Sequence, residues 1–440
     1  MKTWQERYKD RLITMEEAAA KINSGDGIFC GQTCSVPYNF LNELYKRKDE
    51  LRDVTIMYNF SVGMFDMLFD PSCKDSFRVI SWFTGPLDRM SGQMGMLEYH
   101  SAPYEYFIRE TMDVYKANTM VIEVCPPDEE GYTNVSILAA SYVKGFVDHP
   151  TQFTRKIAVV NKHQGPARGR DEVVKVKSDW FDYYVEDDHE LPYIPVSDPT
   201  EVDRIIGDHI MPYINDGDVV QIGMGGLGEQ ITKELHRKHD MTVYTEITVD
   251  SMIPLVEEGN VKKVITAGAF GTTKVYEFLS TDPRVEMRDL SDMLDPCMIG
   301  KQDNLVTINS TLMVDLTGQA CSESQGINQY SSVGGSFGYS YGVTRSKGGK
   351  GFLCLRSTYK DKEGERQSSI VPWLPEKSVV TTPRYLQMFI VTENGVADVF
   401  LKTNKDRIRA IIKIAHSDYI PWLKEQIVSS GQITDEELEI

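Results

Sequence analysis

The stretch that decides the fold is VVQIGMGGLGEQITKELHRKHDMTVYTEITVD, residues Val219 to Asp250. An apolar strand, Val219–Ile222, runs into a glycine loop, Gly223–Gly228, and a helix with an apolar residue at every fourth position follows. A second strand, Met241–Thr245, ends on a carboxylate, Glu246. This βαβ unit predicts a loop of backbone amides and an acid at the ends of adjacent strands, where open α/β sheets bind their ligands.

Two functions are compatible with this unit. Gly223, Gly225 and Gly228 satisfy the G-x-G-x-x-G pattern of dinucleotide-binding folds, in which Glu246 would hold a ribose hydroxyl. Alternatively, Glu246 is a nucleophile, and the glycine amides serve an acyl-CoA whose thioester carbonyl becomes an oxyanion on attack. Glycines suit this second function because a substrate can approach their bare backbone closely. The stretch by itself leaves both interpretations open.

Bulk properties narrow the class of protein. A chain of 440 residues predicts two domains, and a net charge of −18 disfavours nucleic acid or an anionic membrane as a partner. Seven dispersed cysteines without a CxxC pair indicate reduced thiols rather than disulfides or a zinc site. The eight histidines show no metal-binding spacing, and the charged start of the chain does not resemble a signal peptide. We therefore expect a cytoplasmic protein without a metal centre.

Two segments share a pattern that indicates an internal duplication. KINSGDGIFCGQT, from Lys21, and YINDGDVVQIGMG, from Tyr213, both place Ile-Asn-x-Gly-Asp before an apolar strand and a glycine. Strands alternate with helices in both halves, which predicts two similar open α/β domains. Residues 175–200 are polar, acidic and contain three prolines, so they are the predicted linker. The predicted domains are residues 1–190 and 191–440.

A second glycine-rich region lies between Val333 and Gly351. It contains VGGSFG, residues 333–338, and SKGGKG, residues 346–351. The lysines of the second segment are suited to CoA phosphates, but a plain exposed hairpin explains them equally well. Both interpretations stay open on the residues alone.

Ordered motifs along nearly the whole chain resemble those of the class I CoA-transferases of the acetyl-CoA hydrolase/transferase family, which include 4-hydroxybutyrate and butyrate–acetate CoA-transferases. The motifs are PPDEEGY at 126–132, GMGGL at 223–227, TE at 245–246, VTINS at 306–310, VDLTGQ at 314–319, SKGGK at 346–350, VTENGVAD at 391–398 and IAHSD at 414–418. The resemblance implies two α/β domains of similar topology, in agreement with the duplication.

The resemblance also implies the chemistry. Glu246 falls on the catalytic glutamate, which forms a glutamyl-CoA thioester in a ping-pong transfer of CoA from an acyl-CoA to a small carboxylic acid. The CoA contacts then map onto Gly223, Met224, Gly225, Gly226 and Leu227, and onto Gly334, Gly335 and Lys350. CoA is a substrate in this scheme, no permanently bound cofactor or metal is needed, and the family usually forms homo-oligomers.

Two departures from the family pattern bear on the acyl group. The chain has Ser336-Phe337-Gly338-Tyr339 where many members have Gln before Asp-Phe, and Leu294 where related members have asparagine. Phe337, Tyr339 and Tyr341, together with Leu294, suggest a larger, more apolar or aromatic acyl pocket. The remaining alternatives are an acyl-CoA hydrolase that uses the same glutamate and a non-catalytic nucleotide- or CoA-binding protein.

Overall fold

The computed structural model describes residues 2–106, 110–148, 153–193 and 198–439. The chain forms two compact units. The first comprises Met1–Pro195, Glu246–Asp250 and Val264–Met293, and the second comprises Val196–Thr245, Ser251–Lys263 and Leu294–Ile440. The division into domains at residue 190 stays a prediction.

The strands of the described residues are numbered in chain order. They are β1 Gly27–Gln32, β2 Val54–Asn59, β3 Phe77–Ser81, β4 Leu97–Tyr99, β5 Ala117–Val124, β6 Tyr132–Asn134, β7 Arg155–Val160, β8 Lys175–Lys177, β9 Tyr183–Glu186, β10 Val219–Ile222, β11 Met241–Thr248, β12 Val261–Ala269, β13 Val285–Met287, β14 Leu305–Ser310, β15 Met313–Asp315, β16 Ala320–Cys321, β17 Ser324–Gln325, β18 Asn328–Gln329, β19 Lys350–Cys354, β20 Thr358–Lys360, β21 Arg366–Ser368, β22 Ile370–Val371, β23 Phe389–Thr392 and β24 Gly395–Asp398.

The α-helices are numbered in the same way. They are α1 Trp4–Arg7, α2 Met15–Ala20, α3 Tyr38–Tyr45, α4 Pro86–Gln93, α5 Glu110–Val114, α6 Ser136–Ala139, α7 Val143–Val147, α8 Asp171–Val174, α9 Glu201–Ile210, α10 Gly226–Glu234, α11 Met252–Glu257, α12 Thr273–Thr281, α13 Leu290–Leu294, α14 Pro296–Ile299, α15 Ser336–Gly342, α16 Asn404–Lys413, α17 Ile420–Ser429 and α18 Asp435–Leu438.

Two large sheets carry the fold, and their strand orders correspond. The first runs β4-β3-β2-β1-β5-β7-β9 and the second β13-β12-β11-β10-β14-β19-β23-β24. In each sheet the earliest strand of its half, β1 or β10, pairs in parallel with neighbours on both sides. The chain therefore reverses its winding direction at β1 and at β10. This correspondence confirms two similar α/β sheets and the internal duplication.

The shared Asn-x-Gly-Asp motif forms the same turn before each central strand. The backbone N–H of Asn23 donates to Asp26 Oδ2 over 2.8 Å, and Asn215 donates to Asp218 Oδ2 over the same distance. The glycine of each turn adopts a left-handed conformation, with φ of 84° and 81°. Because glycine adopts this conformation without steric cost, the motif sets the point at which the chain enters β1 and β10.

The central strands are apolar because both faces of a parallel sheet are covered. All six residues of β1 are buried, as are the last six of β5. Among the described residues, no helix combines the length and apolar character required to cross a membrane.

The predicted linker is wrong over its first half. Residues 175–177 form β8, and Tyr183–Glu186 form β9, which pairs in parallel with β7 at the edge of the first sheet. Tyr184 and Val185 are buried despite the acidic run that follows them. Edge strands tolerate polar neighbours, so composition alone hid this strand. Residues 194–197 of the predicted linker lie outside the described residues.

Candidate active site

Glu246 lies in β11, near the carboxyl end of that strand. The strand forms because Met241, Val243 and Tyr244 are fully buried apolar residues. The residue before Glu246, Thr245, donates its hydroxyl to the carbonyl of Ile222 over 3.1 Å, and Ile222 is the residue before the glycine loop. Glu246 itself is partly exposed, which is compatible with the nucleophile expected from sequence.

In the first unit, the negative charge of Glu246 affects the pKa of a buried tyrosine, Tyr104. Burial and the charge of Glu246 raise the pKa of Tyr104 well above its usual value. The Tyr104 hydroxyl donates to Gln32 Oε1 over 2.5 Å and accepts a hydrogen bond from Asn59 Nδ2. Gln32 Nε2 in turn donates to the carbonyl of Leu138 over 3.1 Å. Tyr104 is therefore a neutral phenol held in a polar network beside the glutamate.

Sequence reasoning missed this network. Gln32 ends β1 and Asn59 ends β2, so both stand at the carboxyl ends of adjacent parallel strands, where site residues are expected. Their position at strand ends could have predicted a role for these two residues in the site. Tyr104 lies in a short helical turn well separated in sequence, and no local pattern marks it.

The glycine loop of the second unit has two positions that require glycine. Gly225 has φ of 106° and precedes α10. A Cβ at Gly228 would lie 2.0 Å from the carbonyl oxygen of Gly223, so the loop can close onto the helix only without a side chain there. The space around the missing Cβ of Gly225 is open to 4 Å. A ligand can therefore approach the amides at the start of α10, which favour negative charge.

A cavity of about 700 Å³ opens beside this loop. Its lining, all from the second unit, comprises Met224–Leu227, Ser310–Leu312 after β14, Cys354–Arg356 after β19, Thr358–Lys360, Arg366 and Ser369, with Asp203 and Ile206 of α9. β10 and β14 are parallel neighbours, and the strands of this sheet that follow them in the chain, β11 and β19, lie on opposite sides of this pair. The cavity therefore lies at a switch point of the sheet. Its volume is in the range of small-molecule and cofactor sites.

The second glycine-rich region serves helix packing. A Cβ at Gly338 would lie 2.4 Å from the carbonyl oxygen of Leu294, and one at Gly342 would lie 2.5 Å from Ile299 Cβ. These glycines of α15 therefore allow close contact with α14 and with Leu294, the last residue of α13. Leu294 and Tyr339, two residues of the suggested acyl pocket, are fully buried. Phe337 and Tyr341, the other two, are partly buried, with ring centroids 6.4 Å apart.

Gly334 and Gly335 precede α15, and neither lines the cavity beside the glycine loop. Gly334 has φ of 65°, and Gly335 caps the helix. Their predicted contact with CoA stays a prediction.

Lys350 begins β19, at the amino end of the strand, and its Nζ lies 3.5 Å from Asp218 Oδ2. The first unit has the same arrangement, in which Arg155 at the start of β7 lies 3.1 Å from Asp26. Asp218 precedes β10, whereas the glycine loop follows it. The structure therefore does not bring Lys350 to the glycine loop, and its ion pair has a counterpart in the first unit, which contains none of the predicted CoA contacts.

A buried ion pair lies at the carboxyl end of β5 in the first unit. His189 Nε2 is 2.8 Å from Glu123 Oε1, and this hydrogen bond raises the pKa of His189 to about 9. Gln164 donates to the other oxygen of Glu123 over 2.8 Å. Asp187 completes a group whose ligand atoms lie within 4.8 Å of one another. That spacing would admit a metal ion, but both ring nitrogens of His189 have hydrogen-bond partners, Nε2 with Glu123 and Nδ1 with the carbonyl of Glu190.

Comparison with known proteins identifies the family. The acetyl-CoA hydrolase/transferase N-terminal domain model matches residues 1–199, and the C-terminal domain model of the same family matches residues 271–427. A succinyl-CoA:cyclohexane-1-carboxylate CoA transferase of Geobacter metallireducens is 31% identical over 96% of each chain. The chain belongs to the acetyl-CoA hydrolase/transferase family. The resemblance inferred from the motifs is confirmed.

A second relative and a solved structure extend the comparison. The 4-hydroxybutyrate coenzyme A transferase of Clostridium kluyveri is 31% identical over 94% of this chain and 97% of its own. The crystal structure of RipA from Yersinia pestis superposes with a TM-score of 0.88 at 25% identity, over 98% of this chain and 99% of that one. The two-sheet architecture is therefore that of the family.

Proposed function

We propose that this protein is an acyl-CoA:carboxylate CoA-transferase in which Glu246 is the nucleophile. The observation that carries the proposal is the position of Glu246 near the carboxyl end of β11, one strand from β10 and its glycine loop. The full-length relatives, which are named as CoA transferases, support the same reaction. CoA would lie along the open glycine loop and in the cavity beside it, where cationic side chains and helix amides favour its phosphates.

The proposed reaction proceeds in four displacements. A carboxylate oxygen of Glu246 attacks the donor thioester carbonyl, the C–S bond breaks, and an acyl-glutamyl anhydride and CoA thiolate form. The thiolate attacks the glutamyl carbonyl of the anhydride, which releases the donor acid and leaves a glutamyl-CoA thioester. The acceptor carboxylate then attacks this thioester, and the freed thiolate attacks the acceptor acyl carbon. Glu246 is regenerated as the new acyl-CoA departs.

The neighbours of Glu246 suit a carboxylate nucleophile. Because the pKa of Tyr104 is raised well above its ordinary value, that residue stays neutral and does not add a second negative charge. Its hydroxyl donates to Gln32 Oε1, which fixes the ring in the polar network. Binding energy from the long CoA chain would be available to position the thioester.

Intact-mass spectrometry of the protein incubated with acyl-CoA tests this proposal. We expect a mass increase corresponding to CoA, located at Glu246 by peptide mapping and removed by adding a carboxylic acid. Borohydride should reduce the thioester to an alcohol at that residue only. Glu246→Gln protein, as the control, should show neither change.

The reaction products distinguish a hydrolase from a transferase. Acyl-CoA mixed with an isotopically labelled acid should give the labelled CoA ester, with little free CoA accumulating. If free CoA accumulates and no new ester forms, water is the acceptor and the transferase proposal is wrong. If no adduct forms and neither reaction occurs, the protein binds without catalysis.

A further inference from the structure

Two cations face each other on a short hairpin at the cavity of the second unit. β20, Thr358–Lys360, pairs antiparallel with β21, Arg366–Ser368, and Lys360 is directly opposite Arg366. Both residues line the cavity beside the glycine loop. Like charges directly opposite one another destabilise a strand pair. Asp418, the ion-pair partner of Arg366, offsets this repulsion in part, and an anion bound in the cavity would reduce it further.

The cavity as a whole is positively charged in an acidic protein. Among the residues that the structure describes, its lining has three cations, Arg356, Lys360 and Arg366, and one carboxylate, Asp203, while the whole chain carries a net charge of −18. Arg356 is already engaged, since its Nη2 lies 3.0 Å from Asp203 Oδ2. Among the described lining residues, the cation without an ion pair is therefore Lys360 of the hairpin.

The two hairpin cations differ in their existing partners. Arg366 forms an ion pair with Asp418, and its side chain is still 51% exposed. Lys360 is exposed and forms no ion pair with any residue that the structure describes. A ligand can reach both from the cavity, and Lys360 has its full charge available for a ligand.

We propose that Lys360 and Arg366 bind the 3′-phosphate of CoA and make the enzyme selective for CoA over dephospho-CoA. A phosphate monoester carries nearly two negative charges at neutral pH, which matches a pair of cations. Arginine and lysine both form charge-assisted hydrogen bonds to phosphate oxygens. This inference rests on the proposed function and names the residues that recognise the end of CoA farthest from its thiol.

We expect Lys360 and Arg366 to contact the phosphate of CoA, rather than Lys350, which the sequence had suggested. Lys350 is held by Asp218 before β10, whereas Lys360 and Arg366 share a cavity with Met224–Leu227. The ends of the substrate would therefore be recognised at separate places: the thioester at Glu246 and the terminal phosphate at the hairpin.

Steady-state kinetics with acyl-CoA and the matching acyl-dephospho-CoA test the proposal. We expect the unaltered protein to prefer acyl-CoA by about tenfold or more in kcat/KM, the usual effect of one charge-assisted contact. Lys360→Gln should lower kcat/KM for acyl-CoA about tenfold through KM, and should leave acyl-dephospho-CoA within about twofold. Lys362→Gln, in the exposed turn of the same hairpin, is the matched control and should change neither substrate.

Binding to the inactive Glu246→Gln protein provides a readout independent of turnover. Free CoA should bind about tenfold more tightly than dephospho-CoA, and both Lys360→Gln and Arg366→Gln should reduce that difference, with unchanged melting temperatures confirming their folding. Equal affinity of the two compounds, or an equal loss for both on Lys360→Gln, would overturn the inference. Failure of the proposed function is a distinct result, because the unaltered protein would then form no adduct at Glu246.

Discussion

Asn59 and Glu246 occupy equivalent register positions in the two sheets. Gly27, the first residue of β1, pairs with Thr55, and Val219, the first residue of β10, pairs with Thr242. Asn59 and Glu246 each lie four residues beyond that partner. The duplicated fold therefore presents an amide at this position in the first sheet and a carboxylate in the second, so the proposed nucleophile has no counterpart in the first copy.

Replacing Glu246 should abolish transfer. Glu246→Gln keeps the size of the side chain but removes the nucleophilic oxygen, so we expect the transfer rate to fall by about three orders of magnitude or more. The double variant Glu246→Gln, Asn59→Glu should stay inactive, because position 59 ends β2 of the first sheet, whereas the glycine loop follows β10 of the second. Initial rates of acyl-CoA formation measure the transfer activity of both variants. Near-normal turnover by Glu246→Gln would exclude the covalent mechanism.

Gly228→Ala should distort the glycine loop. The new Cβ would lie 2.0 Å from the Gly223 carbonyl oxygen, a backbone atom that can move away only if the loop moves. We expect a loss of about 3 kcal/mol in the free energy of unfolding, typical of overpacking, and a higher KM for acyl-CoA. Differential scanning fluorimetry and steady-state kinetics measure the two effects.

Gly207→Ala is the matched control for that variant. Gly207 lies inside α9, and its new Cβ would make an ordinary contact 3.4 Å from Gln230 Cγ. Alanine is favoured over glycine in a helix by about 0.5–1 kcal/mol, so this variant should be as stable as the parent or slightly more so. If Gly228→Ala behaved in the same way, the close contact inside the loop would not be important.

The His189–Glu123 pair should make stability pH-dependent. Because Glu123 raises the pKa of His189 from 6.5 to about 9, protonated His189 stabilises the fold fully below about pH 6.5. This stabilisation is lost as the pH rises through about 9, and amounts to about 3 kcal/mol at most. We therefore expect the melting temperature to decrease between pH 6.5 and 9, as measured by thermal unfolding at fixed ionic strength.

His189→Gln should remove most of the decrease in melting temperature between pH 6.5 and 9, because glutamine does not titrate. His163→Gln, which alters another histidine near the same acidic segment, is the control and should leave the slope in place. An unchanged slope in His189→Gln would show that other groups cause the pH dependence.

Lys350→Gln should affect stability more than CoA binding. Its partner Asp218 is buried, and removal of the cation leaves that carboxylate less well compensated. We expect a lower melting temperature with KM for acyl-CoA within about twofold of the parent. Arg155→Gln, which removes the equivalent cation of the first unit, should lower the melting temperature similarly. A selective rise in KM for Lys350→Gln would instead support the contact expected from sequence.

Local patterns determined the main elements of the fold. Alternating apolar strands and helices indicated α/β, and the repeated Ile-Asn-x-Gly-Asp indicated duplication, because a turn that needs glycine and a capping aspartate leaves a short, specific signature. The position of Glu246 at the end of a strand beside a glycine loop was readable for the same reason. By contrast, β9 was hidden by its acidic, proline-rich surroundings.

Only the tertiary structure decided which distant side chains meet. Sequence alone identified SKGGKG as cationic, but strand pairing places Lys350 beside Asp218 and brings Lys360 opposite Arg366 at the cavity. It also gathers Gln32, Asn59 and Tyr104 beside the carboxylate of Glu246. Charge and polarity along a chain specify what a residue can bind. Which residues lie together depends on strand order and register, since these set distances between segments that are remote in sequence.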